Sequence, residues 1–249
     1  PMTLDGQLSE PVWAAASWYS NFRRIELDLQ TPEALVQTRF AVVHDATLVY
    51  VGVVCDEPNL AGLKAATPWR DGAVWSDDCI EVFFDPGGEG RYYHQVMVNP
   101  IGTIYDSHSA DYGLVHSRLW DGAFRAAGHV DEERQQWSVE LEIPLGALVL
   151  PRDSGAVWRW NVARERHAGG EAVELSSWAP MQDSFHQPLL FGTMEAMPSA
   201  YDAFRFDLGE PAVGIRRQAS GRMAIGLTWP ITNATGADVR LRADTQLVG

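Results

Sequence analysis

Apolar and polar residues alternate with a period of two through most of this chain, while spacings that suit a helix are short and few. Trp137, Val139, Leu141 and Ile143 alternate with Ser138, Glu140 and Glu142, the pattern of a strand with one face in a core. Ile80, Val82 and Phe84 alternate with Cys79, Glu81 and Phe83, and Asp85-Pro86-Gly87-Gly88 closes that strand as a turn. Arg39 to Val43, His44-Asp45-Ala46-Thr47 and Leu48 to Val54 read as two strands and a tight connection. Tyr92 to Val98, Asn99-Pro100-Ile101-Gly102 and Thr103 to Asp106 read as another hairpin. Further strands are expected at Phe124 to Val130, Val157 to Arg166 and Leu190 to Glu195, with short helical turns after Pro144 and around Trp13 to Ala16. Many short strands with regular turn signals predict an all-β protein: an antiparallel β-sandwich of jelly-roll or immunoglobulin-like type, with two sheets.

Ala196-Met197-Pro198-Ser199 follows the last strand of the main pattern and marks a boundary. Residues 1–197 form the sandwich. Residues 198–249 are an extra β-rich segment, with strand-like stretches at Phe204 to Leu208, Met223 to Trp229 and Val239 to Leu241. That tail is short for an independent domain, so it reads as accessory strands or the start of a following module. A chain that opens at Pro1 reads as a processed protein or an excised piece.

The 249 residues carry 19 basic and 33 acidic side chains, a net charge of −14. No basic surplus exists to displace counterions from phosphates, which argues against a general nucleic-acid binder and against anionic membrane surfaces. The longest apolar stretches, such as Leu48 to Val54, are too short to span a bilayer. No metalloprotease motif, nucleophile elbow, phosphate loop or dinucleotide fingerprint is present. Asp78 and Glu81 lie three apart on a strand, so they face opposite sides and make a poor glycosidase pair. The expectation is a protein that binds rather than transforms. The 2 cysteines, Cys55 and Cys79, exclude a disulfide scaffold. If their strands pair, a disulfide is within reach; two buried thiols are the alternative. The 10 Trp are either a heavy core or a set of flat binding platforms.

Several blocks, in order, resemble the family 9 carbohydrate-binding modules and their relatives. They are Leu4 to Trp13, then Trp75-Ser76-Asp77-Asp78-Cys79-Ile80-Glu81-Val82-Phe83-Phe84-Asp85, then Val98 to Gly102. Trp137 to Leu145, Trp160 to Arg166, Ser177-Trp178-Ala179-Pro180 and His186 to Gly192 complete the series. The resemblance covers about the first four-fifths of the chain and implies a two-sheet sandwich, non-catalytic sugar binding and accompanying structural calcium.

The resemblance also implies site residues. Trp75 and Trp178 match tryptophans that clamp a sugar, and each is expected in a loop; the competing reading is that they cap the sandwich. An indole stacked on a pyranose contributes on the order of 0.5–1.5 kcal/mol beyond the buried area. Glu81 matches a glutamate that accepts hydrogen bonds from sugar hydroxyls, and Gln95 and Asn99 share a face of the neighbouring hairpin. Better-understood members carry a basic residue where this chain has Met97, so Arg164 is the candidate guanidinium. The alternative for Arg164 and Arg166 is an ion pair with Glu165 or Glu171. Asp56, Asp77 and Asp78 are the candidate calcium ligands, against the reading of solvated acidic loops.

The expected partner is therefore a mono-, oligo- or polysaccharide, with other domains of the same polypeptide, in an extracytoplasmic and bacterial setting. The sequon Asn233-Ala234-Thr235 is then idle. Two alternatives stand beside this one. A haem-binding electron-transfer domain would use Met97 with His94, His108, His116 or His186. An adhesive sandwich would have no small ligand, and Trp75 and Trp178 would be buried and apart.

Overall fold

The computed structural model describes residues 2–25, 31–118, 120–148, 155–170, 172–198, 206–208, 212–218, 220–228 and 230–233. Leu119, Glu171, Phe204, Arg205, Trp229, the sequon residues Ala234 and Thr235 and the strand expected at 239–241 lie outside them. The chain divides into two compact units, residues 1–199 and 200–249.

In the first unit a short helix α1 (Pro11–Ala15) precedes thirteen described strands. Those up to the long central hairpins are β1 (Trp18–Tyr19), β2 (Arg23–Arg24), β3 (Thr38–His44), β4 (Leu48–Asp56), β5 (Cys79–Asp85), β6 (Tyr93–Val98) and β7 (Ile104–Ala110). They are followed by β8 (Val115–Ser117), β9 (Arg125–Asp131), β10 (Gln136–Pro144), β11 (Trp158–Arg166), β12 (Glu174–Ser177) and β13 (Gly192–Met194). The first sheet has the order β1-β3-β4-β10-β9 and the second β2-β12-β11-β5-β6-β7-β8, with β13 also pairing β11. The pairings are antiparallel. This is the two-sheet sandwich expected from the period of two.

Alternation explains the core. Val139 lies opposite Val53, and Val53 opposite Phe40, so one row of the first sheet turns inward. In the second sheet Trp160 lies opposite Phe84 and Val162 opposite Val82, with Val82 opposite Val96. All of these side chains are fully buried. Trp137, Trp158 and Trp160 are in this core, as their strand positions predict.

The outer faces depart from a solvated sandwich. Glu140, on the polar row of β10, is 1 % exposed. It accepts hydrogen bonds from the Asp5 and Gly6 amides and from Trp13 Nε1, so the N-terminal segment is clamped across that face. Gly52 allows the close approach, since a Cβ there would meet Leu8 and Trp13 within about 3 Å. The charge on the alternating row is therefore a structural anchor here.

Cys55 is on β4 of the first sheet and Cys79 on β5 of the second, so the strands do not pair and the disulfide reading fails. Both thiols are free and buried, and burial pushes Cys55 up to about 11.

One ion cluster joins the sheets. Glu57, just past β4, accepts from Arg164 Nη2 at 2.9 Å, Arg166 Nε at 2.7 Å and Arg166 Nη2 at 2.8 Å. Arg164 also donates to the Asp56 carbonyl at 2.9 Å and lies 5.8 Å from the Trp137 ring. Two guanidinium groups on one carboxylate give the charge-assisted, forked geometry that can offset desolvation.

The second unit has β14 (Phe206–Leu208) paired with β17 (Ile231–Asn233), and β15 (Ala212–Arg217) paired with β16 (Met223–Thr228).

Glu57→Gln is expected to destabilise the protein by about 3–5 kcal/mol, because it leaves two buried cations under-compensated. Burial raises the Glu57 pKa, but Arg166, the Asn59 amide and Arg164 outweigh it and hold it below the ordinary 4.5. Its contribution is therefore present above that value and is lost as pH falls through the depressed one. Urea midpoints of wild type and variant should differ at neutral pH and converge in acid.

Candidate functional site

The outer face of the second sheet carries the side chains that alternate with the core row. Glu81 lies opposite Met97 on β6, and Phe83 opposite Gln95; on β11, Glu165 lies opposite Cys79 and Ala163 opposite Glu81. The segment after β12 covers part of this face, with Ala179, Met181, Phe185 and Phe191 packing on Phe83 and Tyr93. Beside that cover a cavity of about 380 Å³ remains open, with Trp75, Glu81, Gln95, Tyr105, Arg118 and Glu165 among its lining. Its size falls in the range of small-molecule sites, about 300–1,000 Å³.

Trp75 sits on a one-turn helix, Val74–Ser76, immediately before β5. It is 37 % exposed. Tyr105 meets it edge-on, with ring centroids 5.4 Å apart, and the Arg118 guanidinium lies 5.6 Å from the ring centre. The indole is thus held from one side while part of it stays available to the cavity.

Below it runs a hydrogen-bond chain. Ser107 Oγ donates to Gln95 Oε1 at 2.9 Å, and Gln95 Nε2 donates to Glu81 Oε2 at 2.7 Å. The chain orients both the amide and the carboxyl group. The Glu81 and Glu165 side chains are also hydrogen-bonded to each other, so a proton lies between the two carboxyl groups. Burial, and then the nearby Glu165 carboxylate, push the Glu81 pKa well up. Burial pushes Glu165 up as well. At the rim Tyr93 Oη and His186 Nδ1 are 2.9 Å apart, as are Ser109 Oγ and His116 Nδ1.

Three of the six expected sugar-site residues, Trp75, Glu81 and Gln95, therefore line one cavity. The other three do not. Trp178 is half-buried, with its ring edge-on to Phe40 at 5.4 Å and to Tyr19 at 5.7 Å. Its contacts match the capping alternative, and the slot between two indoles does not form. Asn99 is fully buried. It donates to the Thr67 carbonyl and Asp77 Oδ2, and its Oδ1 accepts from the Thr103 amide, which commits it to the β6–β7 turn. Arg164 is an inter-sheet ion-pair residue, as the alternative held, but its partner among the described residues is Glu57 rather than Glu165.

Asp56, Asp77 and Asp78 do not fit a calcium cage. Asp77 accepts from the amides of Ala66 and Thr67 and from Asn99; Asp78 accepts from the amides of Lys64, His167 and Ala168. Asp56 accepts from Gln136 and faces Arg39. Calcium needs about six to eight oxygens, whereas these carboxylates are surrounded by N–H donors. They clamp loops. Of the residues named for the haem alternative, His94, three residues before Met97 on β6, faces the other side against Phe84 at 5.1 Å. His116 and His186, by contrast, line the cavity with Met97 and are engaged by Ser109 Oγ and Tyr93 Oη.

Sequence reasoning missed Glu165, Tyr105 and Arg118. The alternation of β11 turns Glu165 away from the core, but no local signal says which strand lies beside it. Arg118 comes from the connection after β8, where no motif marks it. A second cavity of about 600 Å³ lies against the first sheet, but its polar groups are largely engaged: Arg134 with Asp131, Arg39 with Trp18 and Asp56, and Ser138 with the Gly6 carbonyl.

The model of the family described as carbohydrate family 9 binding domain-like matches residues 4–197. Among solved structures, a Bacteroides uniformis protein inferred to bind carbohydrate is similar at 17 % identity and TM-score 0.59, covering 77 % of this chain and 92 % of that one. Two structures of a family 9 carbohydrate-binding module from Caldicellulosiruptor kristjanssonii are also similar. One, in complex with glucose, has 16 % identity and TM-score 0.53 and covers 78 % and 91 %. The other, in complex with cellotriose, has 16 % identity and TM-score 0.54 and covers 82 % and 93 %. At such identity these likenesses establish the fold. No curated protein matches significantly.

Trp178→Ala is expected to lower stability by roughly 3 kcal/mol through the void left against Phe40 and Tyr19, read as a shifted urea midpoint. Near-ultraviolet signals from Trp75 should be retained, since Trp178 does not line its cavity.

Proposed function

The chain belongs to the carbohydrate family 9 binding domain-like family, and from that premise we propose that the cavity beside Trp75 binds a sugar. One pyranose face lies on the indole. Glu81 and Gln95 take the polar edge, and Arg118 supplies the planar donors first sought in Arg164. The observation that carries this reading is the convergence of Trp75, Glu81 and Gln95 in one open cavity of a chain from a carbohydrate-binding family.

The chemistry suits the ligand. Sugar hydroxyls both donate and accept, and the floor offers each kind of partner: Glu81 oxygens accept, Gln95 does both, Arg118 only donates. With one indole instead of two, stacking contributes on the order of 0.5–1.5 kcal/mol beyond area. Hydrogen bonds carry the remainder, so affinity is modest. A binding module with this preference works within a larger extracytoplasmic protein, where polysaccharide is met. The relatives in complex with glucose and cellotriose make β-glucans the first ligands to try.

Calorimetric titration with glucose, cello-oligosaccharides and a panel of other sugars tests the reading. Saturable heat with a change in Trp fluorescence is expected for at least one sugar. Trp75→Ala should weaken binding at least about tenfold, a loss of about 1.4 kcal/mol, with the urea midpoint little changed. Flat heats and unchanged fluorescence across the panel would overturn the assignment.

A further inference from the structure

At the floor of this cavity Glu81 and Glu165 meet the buried thiol of Cys79, a trio that sugar recognition does not require. Cys79 and Glu81 are two apart on β5 and so share a face. Glu165 on β11 lies directly opposite Cys79 and diagonal to Glu81, the spacing at which long side chains meet across a sheet. One ligand atom from each of the three lies within 4.8 Å of the others. Cys79 is fully buried, Glu81 is 1 % exposed, and Glu165 is 17 % exposed.

We propose that Cys79, Glu81 and Glu165 bind a divalent transition-metal ion of the zinc class, with a fourth coordination position open to the cavity. A thiolate with two carboxylates matches a borderline-soft ion that accepts sulfur and oxygen. It is a poor set for calcium, which takes oxygen alone. A tetrahedral ion with bonds of about 2.3 Å to sulfur and 2.0–2.2 Å to oxygen holds its ligand atoms about 3.3–3.7 Å apart. Closing the triangle therefore needs side-chain shifts of about 1 Å and no movement of the strands.

A second observation concerns what holds this place together without a metal. Gln95 Nε2 donates to Glu81 Oε2, and the Glu81 and Glu165 side chains are hydrogen-bonded to each other, which two carboxyl groups achieve only with a proton between them. The Cys79 thiol is the group beside this pair, and the nearest titratable base, His167 Nε2, is 3.9 Å from Glu165 Oε2. A cation between the three groups takes the place of that shared proton and lets both carboxylates ionise. Glu81 and Glu165 line the cavity, which leaves the fourth position to water or a ligand oxygen.

Cobalt(II) titration of the metal-free full chain, followed by absorbance, is the test. A thiolate-to-cobalt charge-transfer band that saturates at one ion per chain, and that zinc displaces, is expected. Cys79→Ser should abolish the band, and Cys55→Ser, in the other sheet, should leave it. Glu165→Gln, at a partly exposed position tolerant of the change, should weaken cobalt binding at least about tenfold. Absence of the band in wild type, or an unchanged band in either Cys79→Ser or Glu165→Gln, overturns the proposal. Sugar titration of the wild type with chelator present reads the carbohydrate assignment separately, so the failure of one is not the failure of the other.

Discussion

The three consecutive side chains Arg164, Glu165 and Arg166 on β11 organise this protein. A strand sends neighbours to opposite faces. The two arginines turn inward and share Glu57, which ties the two sheets together. Glu165 turns outward, to Glu81 and Cys79. The two β11 cations are thus held inside the sandwich, while Glu81 and Glu165 remain on the cavity floor with Arg118 in its wall. Charge segregation by strand parity creates both the inter-sheet clamp and the electrostatic character of the site.

The second constraint is the covering of faces that a simple sandwich leaves to solvent. The N-terminal segment closes over the first sheet through Glu140 and Trp13. The segment from Ala179 to Phe191 lies over the second sheet through Phe83 and Tyr93. It stops short of the turn that carries Trp75, and the cavity is the remaining gap. An indole held by Tyr105 on one side and floored by an oriented amide–carboxyl chain is preorganised, so less ordering cost falls on a ligand. The same burial that orients Glu81 also pairs it with the Glu165 carboxyl group.

Much of this was legible before any coordinates. The alternation of β5 and β10 foretold the core rows, and Glu81 was assigned to the face opposite Ile80, Val82 and Phe84. Where reading failed, the cause was non-local. Trp178 has a loop-like sequence context, yet its ring meets Phe40 and Tyr19 from strands far away along the chain. Asn99 and Asp77 are short polar residues of loop type, but they bond to each other and to the stretch at Ala66 and Thr67. Cys55 and Cys79 each sit at a strand end, and nothing in their flanks reveals that the strands belong to different sheets. Arg118 carries no motif, and Glu165 reads from its neighbours as an ion-pair partner of the adjacent arginines rather than as a residue of the cavity.

The sequence by itself determined the period-two architecture, the face to which each strand residue points, and the family resemblance carried by ordered blocks. These are local properties, set by backbone geometry and by the types of adjacent residues. Tertiary structure alone decided which strands are neighbours. It therefore decided that Arg164 meets Glu57, that Glu165 meets Cys79 and Glu81, and that one indole stands at the cavity rather than two. Strand pairing depends on contacts between residues distant in the chain, and alternation leaves the choice of neighbour open.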